Sequence, residues 1–140
     1  METVEFPTAE HWMMVQKSLL FKDYETAREI LEIKETGSKA MARVKALGRK
    51  AKDFDEATWV TERERIVIEG NVHKFWQNKG LREKLLETGE REIVEASPRD
   101  RIWGIGFGER NAMKNEARWG LNLLGKGLIH VRNIIREKCQ

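Results

Sequence analysis

The sequence predicts a mainly α-helical, single-domain protein over residues 1–140, with at most a minor β element. Three observations carry that expectation. Apolar residues recur at helical spacing in successive segments, each opened by a capping side chain or closed by a glycine. Only Glu92–Ala96 carries a strand pattern, and a weak one. A length of 140 residues suits one domain with a real core.

Pro7-Thr8 opens the first helix, with Thr8 as N-cap and Glu10 in its favourable first turn, and the pattern runs to about Lys22. At 100° per residue, Glu10, Met13, Met14, Lys17, Leu20 and Phe21 share one side, and Trp12, Val15 and Leu19 the other. The helix is apolar nearly all round and is expected at the centre of the fold. Glu10 and Lys17 interrupt its Met/Leu/Phe face. They lie about 10.5 Å apart along the axis, too far for an ordinary surface pair. Either Lys17 snorkels while Glu10 caps, or both project into a cavity. Composition alone does not choose.

Asp23 caps a second helix from Tyr24 to about Lys34, ending near Gly37. Ser38 caps a third, through Met41, Val44 and Leu47, closed by Gly48. Asp55 starts a long helix carrying Trp59, Ile66, Val67 and Gly70, with Phe75 and Trp76 near its end. Trp59, Phe75 and Trp76 are expected in the core. A short helix, Leu81 to Glu87, closes at Gly89. The last helix carries Leu121, Leu124, Leu128, Val131 and Ile135 at a 3.6-residue period. Between them, Ser97 to about Ala112 is irregular, and a loop that long inside a compact domain is usually functional.

Charge and cysteine content narrow the class. Twenty-six basic residues against 23 acidic ones give a mixed surface of net charge +3, which tolerates a polyanion without demanding one. No apolar run approaches the roughly 20 residues of a membrane span, and the first residues lack a signal peptide's basic and apolar regions. One cysteine, Cys139, excludes an internal disulfide or a thiolate metal cluster. An intracellular monomer, cytoplasmic or nuclear, needing no cofactor, metal or membrane, is the expectation. His11, His73 and His130 show no metal-ligand spacing.

The segment from Glu95 to Arg132 departs from ordinary helical composition. It holds Trp103-Gly104 and Trp119-Gly120, most of the glycines, and Asp100 just after the Ser97-Pro98 turn. Glycines admit close backbone approach, indoles supply flat apolar walls, and a carboxylate supplies charge, so the segment reads as one wall of a small-molecule pocket. Gly104-Ile105-Gly106-Phe107-Gly108 is either a tight turn or an anion nest near Arg110; it lacks the ending and context of a nucleotide loop. No serine or cysteine stands in a nucleophile elbow. What remains is carboxylates (Glu10, Glu95, Asp100), one amine in an apolar face (Lys17), and indoles (Trp103, Trp119). That set suits chemistry at a sugar's anomeric carbon, where the transition state is cationic and the leaving base needs a proton and a stacking surface.

The ordered run Glu10-His11-Trp12, Gln16-Lys17, Leu47-Gly48-Arg49, Trp59, Lys74-Phe75, Leu85-Leu86 and Thr88-Gly89 continues with Val94-Glu95-Ala96, Asp100, Trp103-Gly104 and Gly106. It ends with Trp119-Gly120, Asn122, Leu124-Gly125, Leu128 and Arg132. Each motif alone is weak, but the ordered set resembles the NADAR (YbiA-like) family across almost the whole chain. The segment before the Glu10-His11 helix is short, where that family usually carries a Ser-Asn-Phe signature. The resemblance implies an orthogonal helical bundle and an N-glycosidase. Its substrates would be ADP-ribose on guanine bases of nucleic acid, an ADP-ribosyl small molecule, or phosphoribosylamino intermediates of riboflavin synthesis. It further implies Glu10 and Asp100 as catalytic carboxylates and Lys17 as the pocket amine. Trp103, Gly104, Gly106, Trp119 and Asn122 would form the substrate wall, and Arg49 a phosphate contact. A non-catalytic ADP-ribose- or nucleic-acid-binding module is the rival from another class, and a partner-binding helical protein a further one.

Overall fold

A computed structural model describes residues 4–140 and is mainly α, as expected, with no strand among the described residues. The helices are α1 (Ala9–Leu20), α2 (Tyr24–Leu31), α3 (Ser38–Arg49), α4 (Glu56–Gln77), α5 (Lys79–Glu87), α6 (Glu109–Ala112) and α7 (Leu123–Lys138). A 3-10 turn, Met113–Arg118, follows α6. The chain forms two compact units, Met1–Gly70 and Asn71–Gln140, with the boundary falling inside α4.

In the first unit, α1 packs against α2 and α3, and α2 against α3. The Thr8 hydroxyl caps α1 by accepting the His11 N–H at 3.1 Å. His11 is fully buried, with Nε2 2.8 Å from the Ile33 carbonyl and Nδ1 2.8 Å from Thr8 Oγ1. A carbonyl only accepts, so Nε2 carries the proton; both ring nitrogens are used structurally. Met14, Val15, Ala27, Ile30, Ile33, Ala40 and Val44 make the core.

Two glycines seat α1. A Cβ at Gly48 on α3 would strike Met14, and one at Gly70 on α4 would strike the Trp12 indole. That indole donates from Nε1 to the Ile66 carbonyl at 2.8 Å. Gly48 therefore lies inside α3 as a notch for α1, and the helix continues past it to Arg49. This corrects the expectation that Gly48 closes the helix. Nor does Ser38 cap α3: Gly37 occupies the N-cap position without a side-chain bond. Asp23 and Asp55 do cap, accepting the N–H groups of Thr26 and Thr58 at 3.1 and 3.0 Å.

In the second unit α5 packs against α7. Gly89, at φ +63°, ends the turn after α5 as expected. From α7, Arg132 donates to Thr88 Oγ1 and the Arg91 carbonyl at 2.8 and 2.9 Å, and Arg136 donates to the Gly89 carbonyl at 2.6 Å. These bonds fasten residues 88–91, just after α5, to α7. The weak strand pattern at Glu92–Ala96 does not become a strand, because its backbone pairs with a side-chain amide and a loop (below) rather than with a second strand. Trp59 is in the core, at 8% exposure, but Trp76 is 38% exposed, against expectation. The cations of Arg82 and Lys138 lie 4.9 and 5.5 Å from its ring, which lets a large indole remain at the surface. Leu121 also departs from expectation: α7 begins two residues later, at Leu123, and Leu121 is exposed.

The glycine notches give opposite signs to two helix substitutions. Gly70→Ala is expected to destabilise by about 1–3 kcal/mol through overpacking, despite alanine's better helix propensity. Gly80→Ala, where a Cβ meets open space within α5, is expected to stabilise by up to about 1 kcal/mol. Urea unfolding of both variants reads the two signs; stabilisation by Gly70→Ala would contradict the seating of α1.

Candidate functional site

The first unit supplies an amine in an aromatic setting. Lys17 lies in the last turn of α1 and is half-buried. Its Nζ is 4.7 Å from the centre of the Phe54 ring and 5.4 Å from that of Trp59. Phe54 in turn meets Phe21 edge-on at 5.2 Å. Burial pushes the Lys17 pKa down; Glu56 opposes this by attraction, Arg49 adds to it by repulsion, and Glu10 opposes it. The loss of hydration dominates, so the amine gives up its proton more readily than a surface lysine. The structure thus groups three expected residues, Lys17, Glu10 and Arg49, in one electrostatic neighbourhood.

Phe54 and Glu56 were not singled out in the sequence. Phe54 stands in the short connection before α4 and Glu56 is the first residue of that helix. Neither shows a motif, since what places them is the return of the chain to α1. Trp59 was read as core, and it is; one of its faces also borders the amine.

The second unit supplies a carboxylate on a constrained loop. Asp100 Oδ1 accepts the N–H groups of Ile102 and Trp103 at 3.0 and 2.8 Å. This side-chain turn fixes the carboxylate on its own backbone. Oδ2 has no hydrogen bond among the described residues, leaving one oxygen for chemistry. Gly104 is buried, and a Cβ there would lie 2.8 Å from the Glu95 carbonyl and 2.9 Å from that of Asp100. Only a bare backbone fits between those oxygens. Gly106 turns the chain at φ +80°, with the Arg101 side chain across it. The Gly104–Gly108 run is therefore a tight crossing of backbones; its Ile105 N–H is taken by the Glu95 carbonyl at 3.0 Å.

Asn122 ties the loop to α7. It sits at the N-cap position in the left-handed region, φ +51°. Its Oδ1 accepts the Glu95 N–H at 2.9 Å and its Nδ2 donates to the Ile93 carbonyl at 3.0 Å. The first N–H groups of α7 are satisfied by the same loop: Leu123 and Leu124 donate to the carbonyls of Ile102 and Trp103, each at 3.0 Å. Asn122 thus holds the loop that bears Asp100. Trp119 donates from Nε1 to the Ala112 carbonyl at 2.8 Å, which fixes its indole over the 3-10 turn. Asp100, Trp103, Gly104 and Asn122 form one hydrogen-bonded cluster, with the Gly106 turn on the same loop.

Comparison with known proteins follows the same residues. A sequence model of the NADAR domain matches residues 1–136. A protein of Acanthamoeba polyphaga mimivirus named as an N-glycosidase is 43% identical over 133 residues, covering 94% of this chain and 75% of that protein. A Nostoc punctiforme protein, also named as an N-glycosidase, is 35% identical over 130 residues, covering 93% of this chain and 74% of its own length. A Vibrio vulnificus protein named for riboflavin biosynthesis is 29% identical over 132 residues, covering 94% of this chain and 31% of that longer protein.

Asn122→Ala is expected to cost about 1–3 kcal/mol, because it leaves the Glu95 N–H and the Ile93 carbonyl without their partner. Chemical denaturation measures this, and a change under about 0.5 kcal/mol, ordinary for surface sites, would show that the tie is not needed.

Proposed function

The chain belongs to the NADAR domain family, and we propose from that premise that it is an N-glycosidase that removes ADP-ribose from guanine in nucleic acid. The observation that carries this reading is the Lys17 amine, half-buried over Phe54 and Trp59 with its pKa pushed down. A lysine that gives up its proton more readily than a surface one offers a nucleophile suited to an anomeric carbon. The names of the mimivirus and Nostoc relatives support glycosidase chemistry, and the substrate is the finer step proposed here.

In this mechanism the distal ribose binds with C1 toward Lys17 and guanine against an indole, Trp103 or Trp119. Arg49 faces the pyrophosphate. The Lys17 nitrogen attacks C1 and forms a C–N bond. The bond from C1 to guanine breaks, its electron pair goes to the base nitrogen, and a protonated carboxyl, Glu10 or Asp100, supplies the proton. The Lys17 nitrogen passes a proton to the ring oxygen as the bond from C1 to that oxygen breaks, which opens the sugar to a protonated imine. A carboxylate takes a proton from water, whose oxygen adds to C1, and returns it to the Lys17 nitrogen. The C1–Lys17 bond then breaks as the new hydroxyl gives its proton to the carboxylate and becomes the aldehyde, and the ring oxygen closes on C1. ADP-ribose and the nucleic acid with its unmodified guanine are the products. A route without the imine has one carboxylate activating water directly, as inverting glycosidases do.

The Vibrio relative's name favours a second reading, hydrolysis of a phosphoribosylamino intermediate by the same groups. Parallel assays on guanine-linked ADP-ribose and on that metabolite separate the two. A binding module without turnover would be indifferent to Lys17 replacement.

Borohydride added during turnover is expected to trap a protein–sugar adduct in the wild type and none in Lys17→Ala; an untrapped wild type refutes the imine. Glu10→Gln and Asp100→Asn are each expected to lose about 10²–10⁴ in rate, and full activity in both refutes the site. Because the free amine reacts, kcat/KM is expected to rise with pH along a limb below the ordinary lysine range. Glu56 attraction favours the charged amine, so Glu56→Gln is expected to move that limb to lower pH. A limb at the ordinary lysine position, or one moved upward, contradicts the assignment.

A further inference from the structure

The loop that fixes Asp100 also presents two aliphatic side chains to solvent. Ile102 is 45% exposed and Leu121 49%. They lie on adjoining segments: the Leu121 N–H donates to the Arg101 carbonyl at 2.7 Å, and the Leu123 N–H to that of Ile102 at 3.0 Å. The Ile102 N–H is bonded directly to the Asp100 carboxylate. Any exposed group at Ile102 is thus held one hydrogen bond from the proposed reacting centre. A soluble loop gains nothing for its own stability by showing two adjacent aliphatics to water.

The charges around them indicate what would cover them. Residues 99–121 carry five basic side chains (Arg99, Arg101, Arg110, Lys114, Arg118) against three acidic ones, and all five are exposed. Arg101 is not a loose surface cation. It crosses Gly106 and donates from Nη2 to the Arg118 carbonyl at 2.7 Å, which fixes its guanidinium on the same loop. Exposed cations on the same loop as exposed aliphatics match a nucleic-acid strand, whose phosphates take the charge and whose base faces take the aliphatic groups. An acyl-chain surface would ask for more apolar area than two side chains.

We propose that Ile102 and Leu121, flanked by Arg99 and Arg101, form the seat for the nucleotides next to the reacting one on a single strand. The aliphatic pair packs on the neighbouring base faces while the arginines contact phosphates. This rests on the nucleic-acid reading above and names the residues that distinguish a polymer from a free nucleotide. An enzyme acting on a base must reach it out of the stack, and apolar side chains beside the centre keep the neighbours from closing over it.

The test uses the full chain and two readouts. The first is anisotropy of a labelled, unmodified single-stranded deoxyoligonucleotide of about 12 nucleotides, a length within the range one binding face covers. The second is turnover of ADP-ribosylated guanine in that oligonucleotide and in a free nucleoside. Ile102→Ser with Leu121→Ser is expected to weaken oligonucleotide binding about tenfold, with its salt slope unchanged, and to lower oligonucleotide turnover while free-nucleoside turnover stays at wild type. Arg99→Gln is expected to reduce the salt slope by about one. Absence of oligonucleotide binding by the wild type, equal binding by the double variant, or equal loss on both substrates overturns the inference. Lack of turnover on either substrate, with binding that still depends on the aliphatic pair, upholds the inference and overturns the proposed reaction instead.

Discussion

The amine side of this protein depends on how closely α1 can approach its neighbours. Gly48 and Gly70 remove side chains where Met14 and Trp12 must lie, and the indole N–H then anchors on the Ile66 carbonyl. Met14, Trp12 and Lys17 are on one short helix, so seating the first two fixes the direction of the third. With α1 seated, the Lys17 amine lies over Phe54 and Trp59 and loses part of its hydration. A methyl group at either notch would meet the Met14 or Trp12 side chain that lies there. Packing thus precedes reactivity here: the lysine is perturbed because the helix beneath it is held close.

The carboxylate side uses backbone rather than side-chain packing. Asp100 is bonded to its own loop, the loop crosses itself at Gly104, and Asn122 together with the first turn of α7 holds the crossing. Arg132 and Arg136 fasten residues 88–91 further upstream. The ties made by Asp100, Asn122 and Arg136 are hydrogen bonds with main-chain atoms, so they do not depend on the identity of the loop's exposed side chains.

Much of the fold could be read locally. Thr8, Asp23 and Asp55 announce helix starts because a capping oxygen needs only its own next three residues. Gly89 marks the end of α5 for the same local reason. What could not be read was set by distant parts of the chain. Gly48 looked like a stop and is a notch, because Met14 fills the space beside it. Leu121 fitted the period of α7, yet the left-handed Asn122 breaks the helix before it, and that conformation answers to Ile93 and Glu95 far upstream. Phe54 and Glu56 carry no motif and become neighbours of Lys17 only when the chain folds. Lys17 itself was legible as a charge in an apolar face, and Asp100 as a carboxylate in a glycine- and tryptophan-rich loop.

The central proposal is that the Lys17 amine attacks the distal ribose. A crystal structure with ADP-ribose bound tests it most directly. The account predicts C1 of the distal ribose within about 3–3.5 Å of Lys17 Nζ, the distance of a near-attack geometry. A bound sugar whose C1 lies out of reach of the Lys17 amine would contradict it.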